Sequence, residues 1–217
     1  LQDELADIAR TTPVETTQKR PWKFLAGAPI PGLGQWLNGQ PRKALWFFLG
    51  ALFTFVVAIP YALGYGNYRG QGIAGLISLA EDGKRLDRSI IFMIEGIIAI
   101  FLILFAVVIY LFAIRDAYKV ETDKLKGIRP KNAFEIKRTS ETKGFPYKVS
   151  VPALILITFI VLVPIVTAFL LSFTNMDPQH QSKFTWVGFE NYRTIFLGEG
   201  MIGSVFWRIL GWTVIWT

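Results

Sequence analysis

Three long apolar runs divide the chain, and polar segments separate them. They cover residues 44–63, 90–114 and 149–173, and Glu95 in the second run is the only charged residue in any of them. An α-helix needs about 20 residues to cross about 30 Å of hydrocarbon, and each run reaches that length. A soluble amphipathic helix would show a polar face every three or four residues, and these runs show none. The pattern therefore predicts three transmembrane α-helices.

Two further apolar segments do not fit a complete span. Residues 24–37 contain two prolines and three glycines, which predicts a broken interfacial or re-entrant segment rather than one helix. A fourth apolar run begins near Phe206 and reaches the end of the sequence at Thr217. Because the sequence also starts at Leu1 rather than Met, we expect a fragment of a longer protein. The predicted fold class is an all-α polytopic transmembrane helical bundle, with three complete spans and the start of a fourth.

The basic residues are distributed unevenly among the polar segments. Residues 1–43 carry six Lys and Arg and residues 115–148 carry ten, against four in 64–89 and three from 174 onward. The positive-inside rule then predicts that the N-terminus and the 115–148 loop are cytoplasmic. The 64–89 loop and the segment after the third span would face outward. This division explains most of the net charge of +7 as topology and contact with anionic membrane lipid, so no nucleic-acid partner is predicted.

Four regions follow from the spans and the charges. Residues 1–43 form a cytoplasmic N-terminal region with the interfacial segment, and residues 44–114 form two transmembrane helices joined by a short outer loop. Residues 115–148 form a basic cytoplasmic loop. Residues 149–217 hold the third span, an outer loop and the start of the transmembrane core.

Residues that could support catalysis are scarce. The chain has no cysteine and a single histidine, His180, so neither a zinc site nor a Ser-His-Asp triad is expected. No phosphate-binding glycine motif with its Lys is present. We therefore predict no catalytic residue, no metal and no cofactor, and a protein that is not an enzyme.

Glu95 has two interpretations. Carboxylates within the membrane are costly and often functional, so Glu95 is a candidate intramembrane polar site. However, it lies only five residues into its span, where it could reach the outer interface or pair with Arg88. The structural interpretation is the favoured one.

The third span and the loop after it resemble a known family. The segments LLSFTNMD (Leu170–Asp177), FTWVGFENYRTIF (Phe184–Phe196) and FWRILGWTVIWT resemble binding-protein-dependent sugar ABC transporter permeases. Two spans precede the family-like span, and the loop after it is only about thirty residues long, which resembles the MalF-type subunit of maltose/maltodextrin importers in its Gram-positive form. The resemblance covers about a third of the chain.

The resemblance implies a permease subunit in a bacterial cell membrane. It would move oligosaccharides, maltose or maltodextrin foremost, by alternating access driven by a separate ATPase subunit dimer. Its other expected partners are a second permease subunit and an extracellular sugar-binding protein. The alternative is a secondary transporter or another polytopic membrane protein.

The WVGFENY motif supplies the candidate site residues of the outer loop, which are Trp186, Gly188, Asn191 and Tyr192. Two interpretations remain open for them. They could form a structural turn at the membrane interface, or they could contact the sugar-binding protein directly.

Overall fold

The computed structural model describes residues 5, 8, 10, 12, 21–81, 83 and 86–216. This part of the chain is helical and contains no β-strand, apart from one isolated antiparallel bridge between Thr174 and Trp186. In chain order the helices are α1 (Leu33–Leu37), α2 (Pro41–Ala62), α3 (Gly72–Ser78), α4 (Ser89–Leu125), α5 (Ala133–Glu141), α6 (Phe145–Leu171), α7 (Glu190–Leu197) and α8 (Gly200–Trp216). Among them, α2, α4 and α6 are long and apolar enough to cross a membrane. The predicted all-α fold with three membrane spans is therefore confirmed.

The apolar segment before the first span is broken, as predicted. It forms a short 3-10 helix over Lys23–Gly27, followed by the five-residue helix α1. Gly32 lies between them with φ +102°, and a Cβ atom there would come within 2.7 Å of the Ala44 carbonyl oxygen. Only glycine fits both the backbone angle and the space.

Two of the spans contain a π-helical turn just before a proline. In α2 the turn covers Thr54–Ala58 and Pro60 follows it, and in α6 it covers Thr158–Leu162 and Pro164 follows it. Proline lacks an N–H and crowds the carbonyl four residues earlier, and that carbonyl falls inside the wider turn in both helices. In both spans the proline is therefore accompanied by a local π-turn rather than a break in the helix.

Helices α4 and α8 both extend beyond their apolar runs. Helix α4 continues past the apolar run through a charged segment to Leu125, and Gly127 follows with φ +79°. Helix α8 begins at Gly200, six residues before the apolar run that starts near Phe206. Two glycines and a serine between residues 200 and 205 concealed its first turns from a hydropathy pattern.

The chain forms two compact units. The first unit contains residues 1–62 and 99–156, and the second contains residues 63–98 and 157–217.

In the first unit, α2 and the adjoining part of α4 pack along a seam of small residues. Contacts between Lys43 and Asp116 and between Gly50 and Ile109 show that the two helices run antiparallel. Each helix contributes three alanines spaced by seven residues, all at most 5% exposed: Ala44, Ala51 and Ala58 from α2, and Ala99, Ala106 and Ala113 from α4. Small residues allow two helix backbones to approach closely, and a spacing of seven keeps them on one face.

A buried carboxylate fixes the segment that precedes the first span. Glu121 in α4 has no exposed surface, and its two oxygens accept the backbone N–H groups of Trp22, Lys23 and Phe24 at 2.7–3.0 Å. These N–H groups belong to the start of the 3-10 helix, where they have no partner within the helix. The side chain of Gln35 extends this connection by donating to the Ala113 carbonyl at 2.7 Å.

Candidate functional site

The loop after the third span holds the sequence motif, and a short backbone ladder closes it. The N–H of Asn175 donates to the Thr185 carbonyl at 3.1 Å, and the N–H of Val187 donates to the Phe173 carbonyl at 2.8 Å. The side-chain oxygen of Asn175 also accepts the N–H of Thr185 at 2.7 Å. The two halves of the motif, SFTN and TWV, are therefore paired directly.

Asn191 and Tyr192 hold the turn that ends α6. The Asn191 side-chain amide donates to the carbonyls of Ser172 and Thr174 at 2.9 and 2.7 Å. The Tyr192 hydroxyl lies 2.5 Å from the Ser172 hydroxyl, and its ring packs against that of Phe173 at 5.2 Å between centroids. The polar atoms of both side chains are thus engaged within the loop itself.

Trp186 connects the motif to the preceding loop. Its indole N–H donates to the carbonyls of Leu76 and Ile77, at the end of α3, at 3.1 and 3.0 Å. Nearby, the N–H of Phe184 donates to the Ser89 hydroxyl at 3.1 Å, and Phe184 is only 2% exposed. The loops 64–89 and 174–189 are therefore joined within the second unit.

Gly188 and Phe189 lie at the exposed part of the motif, together with Trp186 and Glu190. Gly188 has φ +60° and nothing within 4 Å of where a Cβ would lie, so its backbone angle rather than space favours glycine. Phe189 is 75% exposed, although one side of its ring contacts Phe173. The motif thus engages the polar atoms of Trp186, Asn191 and Tyr192 in hydrogen bonds and leaves most of the Phe189 side chain exposed.

Glu95 caps a turn of the 64–89 loop. Its two carboxylate oxygens lie 2.9 and 3.1 Å from the backbone nitrogen of Tyr68 and accept its N–H. That N–H begins the 3-10 turn Tyr68–Gly70, so the carboxylate satisfies a donor at a helix start. The sequence had offered pairing with Arg88 as one possibility, and the structure provides this backbone partner.

An ion pair in this loop had no sequence signal. Arg69 donates from Nε to Asp87 Oδ1 at 2.8 Å, and the Asp87 side chain is 5% exposed. This hydrogen bond raises the pKa of Arg69 and holds a non-glycine residue at φ +61°. The two residues are eighteen positions apart, on opposite sides of α3, and no sequence periodicity pairs them.

His180 lies in an exposed turn. Its Nδ1 is 2.8 Å from Asp177 Oδ1. This hydrogen bond, together with the backbone N–H groups of His180 and Gln179, lowers the pKa of Asp177. Across the described residues, no group of three or more His, Asp or Glu side chains is arranged to hold a metal ion.

Curated proteins similar to this chain are sugar transport permeases. The galactooligosaccharides transport system permease protein GanP of Bacillus subtilis is 34% identical over 192 residues, which is 87% of this chain. The maltodextrin transport system permease protein MdxF of the same organism is 33% identical over 207 residues, or 93% of this chain. The maltodextrin permease MalC of Streptococcus pneumoniae is 30% identical over 94% of this chain.

The matches cover nearly all of this chain but only part of each relative. The chain spans 44–46% of the length of these three proteins. No protein-family model matches it, and no solved structure does. The likeness therefore rests on sequence along almost the whole chain, well beyond the third of it that carries the motif.

Proposed function

Since this chain is a relative of sugar ABC transporter permeases, we propose that it forms part of the membrane subunit of an ATP-driven oligosaccharide importer. The similarity over 87–94% of the chain carries the proposal. The chain itself would hydrolyse nothing, and a separate ATPase subunit dimer would drive alternating access of the helices. A second permease subunit would complete the translocation path.

The substrate we propose is an oligosaccharide, with maltodextrin first and galactooligosaccharide second. Both classes occur in the names of the relatives, and sequence identity of 34% against 33% does not separate them. The class common to both is a short chain of hexoses. A competition experiment between the two sugars is therefore part of the test.

The proposed orientation puts the protein in a bacterial cell membrane with its basic segments in the cytoplasm. The first unit brings the basic-rich region 22–43 against residues 113–131, as the Gln35–Ala113 and Gln40–Lys131 hydrogen bonds illustrate. The second unit joins the basic-poor loops 64–89 and 174–189 through Trp186 and Phe184. Segments that the charge count assigns to one side thus contact each other, which supports the assignment.

In this orientation the motif loop faces the compartment where a sugar-binding protein would dock. Asn191, Tyr192 and Trp186 hold the loop through their own polar atoms, and we propose that they are structural. The exposed ring of Phe189, beside Gly188, is then the part of the motif that meets the partner. Glu95 would stabilise the neighbouring outer loop by capping its turn, without a direct role in translocation.

Uptake by the reconstituted transporter tests the function. The full-length protein is purified with its ATPase, second permease and binding protein, and inserted into proteoliposomes. We expect uptake of labelled maltotriose to require both ATP and the binding protein, with galactooligosaccharide as the competitor. Uptake that follows a proton gradient without ATP would instead identify a secondary transporter.

A variant pair tests the docking surface in the same system. Phe189→Ala is expected to raise the concentration of binding protein needed for half-maximal uptake by about tenfold, because exposed aromatic residues often dominate interfaces. Phe196→Ala serves as the matched control, since Phe196 is similarly exposed but lies outside the motif turn. Equal effects of the two substitutions would argue against docking at Phe189.

A further inference from the structure

One face of helix α5 is exposed and combines an aromatic residue with charged residues. Phe134, Lys137, Arg138 and Glu141 follow the spacing i, i+3, i+4 and i+7, which places them on one side of the helix. Phe134 is 71% exposed, and the other three residues are exposed as well. A large apolar ring thus lies in the middle of an otherwise charged surface.

The opposite face of α5 is directed into the first unit. Ile136, Thr139 and Ser140 line a cavity there. Other walls of this cavity come from the start of α2 and from residues 116–123 of α4. The face that carries Phe134 is therefore directed away from these two helices.

Hydrogen bonds hold both ends of α5 close to the points where membrane spans begin. Before α5, the Lys131 carbonyl accepts from the Gln40 side chain at 3.3 Å, and Gln40 directly precedes α2. After α5, the N–H of Gly144 donates to the Thr139 carbonyl at 2.8 Å, and α6 begins at Phe145. Helix α5 is thus fixed between the starts of two spans.

The neighbouring helix α4 indicates the depth of α5. The apolar run of α4 ends at Ile114, and with 1.5 Å of rise per residue, residues 116–123 lie about 3–13 Å beyond that end. The headgroup layer is about 5–8 Å thick on each side of the bilayer. Because α5 faces residues 116–123 across the cavity, it lies at or just beyond the level of the lipid headgroups.

The segment from α5 to the start of α6 has the composition that an anionic lipid surface attracts. Residues 133–148 contain four Lys and Arg against two Glu, and Phe145 and Tyr147 are 58% and 72% exposed. Aromatic rings favour the membrane interface, and basic residues are attracted to anionic headgroups. The charge count predicts lipid contact for the basic loop as a whole. We propose that this contact is made by one face of α5, which lies on the anionic headgroups with Phe134 inserted among them.

Spin labelling measures whether Phe134 lies in the membrane interface. The full-length protein is labelled with a nitroxide at Phe134→Cys, or at Gln181→Cys as an exposed control, and the unsubstituted protein gives the background. It is reconstituted into vesicles of phosphatidylcholine alone or mixed equally with phosphatidylglycerol. With phosphatidylglycerol, a water-soluble nickel complex should collide with the label at position 134 about threefold less often than with the label at position 181, because interfacial residues are shielded from water. Phosphatidylcholine alone should protect position 134 clearly less.

A matched pair of double variants tests the contribution of the cations. Lys137→Gln with Lys143→Gln removes two charges from the proposed surface and should reduce the protection of position 134 by about twofold. Lys119→Gln with Lys126→Gln removes the same charge from exposed positions outside this segment and should leave the protection unchanged. A label at Glu141→Cys, on the same face of α5, should also be protected, which separates the position of the helix from a local effect of replacing Phe134.

Four results would overturn the proposal. The first is equal nickel accessibility of positions 134 and 181 in the anionic vesicles. The second is equal protection in both kinds of vesicle, and the third is an equal effect of the two double variants. The fourth is protection that appears only when the ATPase subunits are added, since it would assign the exposed face of α5 to a protein contact.

Discussion

At the scale of single residues, several polar side chains form hydrogen bonds with backbone groups of distant segments. Asn191 satisfies two carbonyls of the turn after α6, and Glu121 satisfies three N–H groups before α2. Glu95 does the same for one N–H of the 64–89 loop. In a membrane, an unpaired backbone group costs several kcal/mol, so side chains that pair such groups near the spans are needed for folding alone. Their presence in a motif does not require a ligand.

Replacing Asn191 tests this structural role. Asn191→Asp removes both donors and places a carboxylate against two carbonyl oxygens, so we expect a loss of roughly 1–3 kcal/mol in stability. Thermal unfolding of the full-length protein measures it, with Glu190→Gln as a control at the exposed neighbouring position. An unchanged melting temperature combined with weaker docking of the binding protein would make Asn191 a contact residue instead.

Glu135 gives the basic loop a dependence on pH. Its hydrogen bond with Arg129, supported by the N–H of Asn132, lowers the pKa of Glu135. Asn132 and Glu135 also form a capping box at the start of α5. A carboxyl group whose pKa is lowered by folding stabilises the folded state above its unfolded pKa of about 4.3, and this stabilisation is lost as pH falls through the lowered pKa.

Hydrogen exchange in residues 132–141 measures that loss. Between pH 6 and pH 3, after correction for intrinsic exchange rates, protection should fall about twofold to fivefold. In Glu135→Gln, which keeps an acceptor but not the charge, protection should be lower at pH 6 and nearly independent of pH. The same pH dependence in both proteins would show that another group is responsible.

At the scale of elements, local patterns predicted the helices but only some of their partners. Unbroken apolar runs predicted the three spans because a run of about 20 apolar residues has the length of a membrane-crossing helix, which satisfies all of its backbone hydrogen bonds internally. Contacts such as Glu121 with Trp22, 99 positions apart, leave no periodic trace in the sequence. The alanines of α2 and α4 are an intermediate case. Their spacing of seven is visible in the sequence, but it indicates a seam only once both helices are known to be neighbours.

Filling the alanine seam tests its importance. Ala51→Leu adds bulk at a position that is 5% exposed, and overpacking of this kind typically costs about 1–3 kcal/mol. Ala153→Leu, at an exposed position of α6, is the matched control. Thermal unfolding of the full-length protein should show a lower melting temperature for Ala51→Leu than for Ala153→Leu. Equal melting temperatures for the two variants would show that the seam does not determine helix packing.

At the scale of the whole molecule, charge and contacts lead to the same grouping of segments. The positive-inside rule sorted the loops by counting Lys and Arg, without reference to structure. The first unit contains regions rich in basic residues, and the second unit contains the loops poor in them. The sequence could not reveal how the loops 64–89 and 174–189 are joined, because Trp186 donates a hydrogen bond to backbone carbonyls that lie 109 and 110 positions away.

The orientation itself can be measured, because these 217 residues contain no cysteine. Single cysteines are placed at Gln181, in the loop predicted to face outward, and at Lys143, in the basic loop; both positions are exposed. In intact cells, an impermeant maleimide should label Gln181→Cys and leave Lys143→Cys unlabelled until the membrane is permeabilised. The unsubstituted full-length protein gives the background. Labelling of Lys143→Cys in intact cells would reverse the proposed orientation, and with it the surface at which Phe189 could meet a sugar-binding protein.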